Sequence, residues 1–111
     1  MRIHIAIVWD SQDETLYAVP GRVLATYHDT IVVHAVNRDI EFSAGDSKPF
    51  GKQYHELVSK LKGLVRRGQS YSLKVPGRGK VQPGIYSYKA YSPEEKVYAV
   101  GGSYPKVIIY D

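Results

Sequence analysis

The stretch FGKQYHELVSKLKGLVRRG, residues 50–68, decides the fold class of this chain. Its apolar positions are Phe50, Tyr54, Leu57, Val58, Leu61, Leu64 and Val65. They recur at i, i+3, i+4 and i+7, which places a single stripe on one side of an α-helix. Asp46 or Ser47 can cap the start, and Pro49 suits the first turn, where its missing N–H leaves nothing unpaired. Arg66 and Arg67 fall in the last turn, where cations complement the helix dipole, and Gly68 follows as the terminating residue. The pattern predicts one amphipathic helix over about 49–67, with His55, Glu56, Lys60 and Lys62 facing solvent.

On either side of this stretch the period changes to two. Residues 2–9 alternate, with Ile3, Ile5, Ile7 and Trp9 on one face and His4, Ala6 and Val8 on the other. Residues 15–19 and 22–27 flank Pro20-Gly21, a strong turn signal. Residues 30–36 are apolar on both faces, which predicts a central strand covered on both sides. Further strands are expected at 39–42, 71–75, 85–91, 96–100 and 106–110. Short connections between them suit hairpins. The sum predicts an α+β fold: a meander-rich antiparallel sheet, or a partly open barrel, with the helix packed on it. At 111 residues the chain is expected to be a single domain spanning 1–111.

The chain has no cysteine, which excludes disulfides, thiolate zinc sites and cysteine nucleophiles. Methionine and asparagine occur once each, as Met1 and Asn37, a depletion that also suits a thermophilic protein. The longest apolar run, residues 5–9, is far too short to span a membrane. The N-terminus lacks the long apolar stretch of a signal peptide, so the expected location is cytoplasmic, or inside a host cell for a virus-encoded protein.

Charge is the strongest functional signal. The chain is +4 overall, yet between Leu57 and Pro93 it carries Lys60, Lys62, Arg66, Arg67, Lys74, Arg78, Lys80 and Lys89 with no acidic residue. Segregated positive charge is what a polyanion-binding surface requires. If 71–75 and 85–91 pair as a hairpin, Lys74 and Lys89 share a polar face with Tyr91, and Arg78 and Lys80 sit at the tip. Basic groups beside an aromatic suit phosphate contact and base stacking. The expected function is therefore mainly electrostatic, weakly sequence-specific binding of nucleic acid, RNA or DNA. The site would comprise Lys74, Arg78, Lys80, Lys89, Arg66 and Arg67, with Tyr91 for stacking. The bland rival is a solvated basic face with no specific partner.

A second expectation is a protein–protein accessory factor of phage or viral origin. It rests on the ten tyrosines, and on residues 106–110 as an edge strand able to pair across a homodimer. A third is a metal-independent ribonuclease centred on His55 or His34. The balance of residues favours a non-enzymatic protein without cofactors.

The four histidines, His4, His28, His34 and His55, show no metal-binding spacing such as HxH or HxxxH. The run from Gly63 to Gly68 matches GxxxxG, but Gln69 stands where a P-loop needs lysine. Gly77 and Gly79 lack the third glycine of a dinucleotide fingerprint, although their backbone N–H groups can still contact an anion.

Overall fold

A computed structural model describes residues 1–44, 63–100 and 105–111. Strands form where the alternation places them: β1 (Arg2–Asp10), β2 (Thr15–Val19), β3 (Arg22–Ala25), β4 (Thr30–Ala35) and β5 (Ile40–Ala44). They continue with β6 (Gly63–Val65), β7 (Ser70–Lys74), β8 (Gly84–Ser92), β9 (Val97–Tyr98) and β10 (Lys106–Ile109). Two sheets result. The first has the order β2-β1-β4-β7, and the second β3-β10-β8-β5-β6, with β9 paired to β8.

The sheets face each other across one apolar core. Ile5, Ile7, Leu16, Ile31, Val33, Leu73 and Val75 come from the first, and Val23, Ile40, Phe42, Tyr86, Tyr88, Val107 and Ile109 from the second. Inner positions along each strand are apolar and buried, which is the pattern of a β-sandwich. β4 lies between β1 and β7 with Ile31, Val32, Val33 and Ala35 all buried, as its two-faced apolar pattern requires.

The architecture corrects the expected α+β fold in four respects. First, no helix occurs among the described residues. Residues 49–62 of the predicted helix, His55 included, lie outside them. The end of that stretch is strand β6, paired with β5 in the register Ile40↔Val65, Glu41↔Leu64 and Phe42↔Gly63. Val65 is buried while Leu64 is half exposed, so period two wins over the helical stripe once β5 offers a partner edge. Gly68 does take the left-handed conformation, at φ +80°, but in a turn closed by Gln69 N–H donating to the Arg66 carbonyl at 2.9 Å.

Second, the strands do not form an antiparallel meander. β1 and β4 are parallel, from Arg2↔Thr30 to Ile7↔Ala35, and so are β3 and β10. The chain changes sheet between β2 and β3, at the cis Val19–Pro20 peptide.

Third, β7 and β8 are not a hairpin. β7 pairs with β4 and β8 with β10 and β5, so residues 75–83 cross from one sheet to the other. Fourth, β10 is no free edge for a homodimer, because it is bonded to β3 on one side and β8 on the other.

Candidate anion-binding cleft

The turn between β3 and β4 is built on Asp29. Its carboxylate accepts a hydrogen bond from Thr26 N–H at 2.9 Å and lies 3.2 Å from the Met1 amine. Those contacts, the Thr26 bond foremost, hold the Asp29 carboxyl below the usual carboxylate range despite its burial. The turn is tied to the start of the crossover: His28 N–H donates to the Val75 carbonyl at 3.1 Å, and Val75 N–H to the Asp29 carbonyl at 2.8 Å. His28 is left-handed at φ +69°, a conformation that histidine tolerates better than most residues.

The crossover loop lies directly on the His28 ring. A Cβ at Gly77 would stand 3.1 Å from His28 Cε1 and 3.3 Å from Nε2, so glycine permits this approach. Beyond it, Lys80 N–H donates to the Gly77 carbonyl at 3.1 Å, and Val81 is buried as the loop's anchor. Arg78 forks onto the Asp111 carboxylate, with Nη1 2.9 Å from Oδ2 and Nη2 on Oδ1. Its guanidinium also stands 5.3 Å from the centre of the Tyr27 ring. The Asp111 hydrogen bonds make Arg78 still harder to deprotonate.

Between turn and loop is a surface cleft of about 360 Å³ lined by His28, Lys74, Val75, Pro76, Gly77, Arg78 and Lys80. That volume lies at the small end of the range for small-molecule sites. Lys74 and Lys80 are exposed, and neither ammonium forms an ion pair with a described residue. The cleft thus holds two uncommitted ammonium groups, an imidazole, and a guanidinium already bearing a carboxylate.

Only three of the seven sequence-predicted binding residues, Lys74, Arg78 and Lys80, meet here. Arg66 and Arg67 sit in the turn at the other end of β7, where Arg67 N–H donates to Asp39 Oδ1 at 2.8 Å. Their guanidinium groups lie 3.9 Å from Asp39 and Glu94 respectively. Arg38 Nε also stands 2.9 Å from Glu94, so that end of the molecule is an ion-paired cluster. Lys89 and Tyr91 lie on β8, with the Tyr91 ring 4.8 Å from Tyr98 and Lys89 Nζ 6.0 Å above Tyr98. Tyr91 is half-buried, its ring tilted against that of Tyr98.

His34, the other candidate base for ribonuclease chemistry, lies on β4 with Nε2 2.9 Å from His4 Nδ1. Sequence reasoning missed His28 in the cleft lining, and Tyr27 and Asp111 as the partners of Arg78. The signal for His28 was its place before Asp29 in a turn, but no local pattern links that turn to Gly77.

No family model matches the chain, and no curated protein does. Solved structures do. The chain superposes on pseudoazurin from Methylobacterium extorquens AM1 with a TM-score of 0.57 at 13% identity, covering 100% of this chain and 76% of that one. A Sinorhizobium pseudoazurin gives 0.54, also at 13% identity, covering 99% and 74%. At that identity the likeness establishes a cupredoxin-like β-sandwich and nothing finer.

These findings overturn the nucleic-acid expectation. The neighbours are pseudoazurins, and the seven predicted residues divide among three places, with no continuous basic track among the described residues. Nothing in the neighbours supports the accessory-factor or ribonuclease expectations either.

The metal that such a fold suggests is a blue-copper centre, with two imidazoles, a thiolate and a weak axial thioether. The chain has no cysteine, and its single methionine is Met1, whose amine is bound to Asp29. The donor set does not fit. What this chain shares with its structural neighbours is therefore the cupredoxin-like sandwich, without the residues of a blue-copper site.

Proposed function

We propose that the chain is a small-anion-binding β-sandwich module, taking a phosphate- or carboxylate-bearing ligand in the cleft between the β3–β4 turn and the 75–83 loop. One observation carries this reading: Lys74 and Lys80, neither of them ion-paired among the described residues, line the cleft together with Arg78, whose guanidinium holds the Asp111 carboxylate. A guanidinium fork matches a carboxylate or phosphate through two parallel N–H···O bonds. Two ammonium groups nearby add non-directional attraction that salt would weaken. Gly79 leaves the loop backbone open to close approach, since even a Cβ there would meet no atom within 4 Å.

Binding should be fast and weak to moderate, since every cationic group is exposed. Calorimetric titration of inorganic phosphate and of citrate at low ionic strength tests the reading. Saturable one-site binding, abolished in the Lys74→Gln/Lys80→Gln double variant at unchanged melting temperature, is the expected result. Equal heats for the native chain and the double variant would refute it.

A further inference from the structure

The outer face of the first sheet brings two imidazoles together away from the cleft. His4 on β1 and His34 on β4 sit diagonally across a parallel pair, opposite Val32 and Ala6 respectively. His4 Nδ1 lies 2.9 Å from His34 Nε2, and the rings stack with centroids 5.1 Å apart and planes at 20°. His4 is exposed and His34 partly so, which leaves both within reach of solutes. The strands beneath are fixed by six consecutive register pairs and by the buried Ile5 and Val33.

We propose that His4 and His34 form a bidentate site for a divalent transition-metal ion of the Cu(II), Ni(II) and Zn(II) class. Two metal–imidazole bonds of about 2.0–2.1 Å meeting at a right angle hold their nitrogens about 2.9 Å apart; a tetrahedral angle needs about 3.4 Å. The observed spacing equals the cis edge of a square-planar site, the geometry of Cu(II) and Ni(II), and the rings need to turn so that both lone pairs converge on the ion instead of facing each other. Zn(II) requires the pair to open by about 0.5 Å, so it follows Cu(II) in affinity for this geometric reason as well as by the usual metal order.

Without metal, one facing nitrogen donates its proton to the other. A bound metal needs a lone pair from both. The shared proton therefore moves to the remote nitrogen of its own ring. Ser70 stands opposite His34 in the β4–β7 register, with Ser72 two residues further along, and Arg2 lies two residues before His4 on the same face of β1. The nearest carboxylate along the same face of β1 is Asp10, about 20 Å beyond His4. Calcium and magnesium, which demand several oxygen ligands, have no footing there.

The test uses the untagged chain near neutral pH, with CuCl₂, NiCl₂ and ZnCl₂ in calorimetric titrations and melting experiments. One ion per chain and a melting temperature raised by several degrees are expected, with Cu(II) tightest. His4→Ala and His34→Ala should each abolish the effect, and the Cu(II) spectrum of the native chain should show coupling to two nitrogens. CaCl₂ and MgCl₂ should do nothing. His34→Asn, which retains a polar group on β4, controls for loss of the sheet surface and should also fail to bind. No binding by the native chain, or undiminished binding in the His4→Ala/His34→Ala double variant, overturns the proposal.

Discussion

Tyr88→Phe should stabilise this protein. The Tyr88 ring is fully buried in the second sheet against Phe42, with ring centroids 6.3 Å apart, and its hydroxyl has no hydrogen-bond partner among the described residues. A buried polar group left unpaired costs about 1–3 kcal/mol. Removing the oxygen leaves a void about the size of a methyl group, which returns about 1 kcal/mol of that. The net gain is about 0–2 kcal/mol, or up to about 8 °C in melting temperature for a chain of this length.

The same substitution changes the alkaline limb. Burial pushes the Tyr88 hydroxyl well above the ordinary tyrosine value. The folded state therefore keeps a proton that the unfolded state releases from about pH 10. Stability is intact below that pH and falls by about 1.4 kcal/mol per unit above it, until the folded hydroxyl ionises. Tyr88→Phe removes this slope. Tyr86 supplies the contrast: it is equally buried, but its hydroxyl donates to the Gln82 carbonyl at 2.6 Å. Tyr86→Phe should destabilise by about 0.5–1.5 kcal/mol. Urea unfolding of both variants at neutral and alkaline pH reads all of this. A Tyr88→Phe variant less stable than the native chain by more than about 1 kcal/mol would refute the reasoning, because the hydroxyl would then have a partner worth that much.

Three further outcomes are expected. Asp29→Asn should cost about 1 kcal/mol in thermal unfolding, since it loses the ion pair with the Met1 amine while keeping an acceptor for Thr26 N–H. Because the Asp29 carboxyl is depressed when folded, its contribution is intact above about pH 4 and lost as pH falls through the folded value, so the variant should lose part of the acid transition. Asp111→Asn should raise affinity for inorganic phosphate several-fold by freeing the Arg78 fork; a fall in affinity would mean the loop needs that latch. Gly77→Ala should displace the loop from the His28 ring and weaken phosphate binding, visible as a shifted His28 resonance.

Nearly every strand was legible in the sequence, because alternation is a local property and Pro20-Gly21 marks its own turn. What failed was non-local. The parallel β1–β4 pairing depends on a partner some 28 residues away, and the crossing of residues 75–83 between sheets has no signature in the residues that cross. Gly63–Val65 shows the ambiguity of short apolar runs: Leu64 and Val65 continue a helical stripe, yet they also alternate, and β5 decided between the two.

The candidate site was legible in its cations and not in its geometry. Lys74, Arg78 and Lys80 are close in sequence and remain close in space. Arg66 and Arg67 precede them by only a few residues but lie at the opposite end of an extended β7, about 17 Å long. Asp111 and Tyr27 were invisible because they follow β10 and β3, far from Arg78 in sequence.

Backbone amide shift mapping during a phosphate titration tests the central claim most directly. Saturable shifts confined to His28, to Lys74 and to residues 77–80 are expected, and they should disappear in Lys74→Gln/Lys80→Gln. Shifts scattered over the surface without saturation, or centred on Arg66 and Arg67, would contradict it.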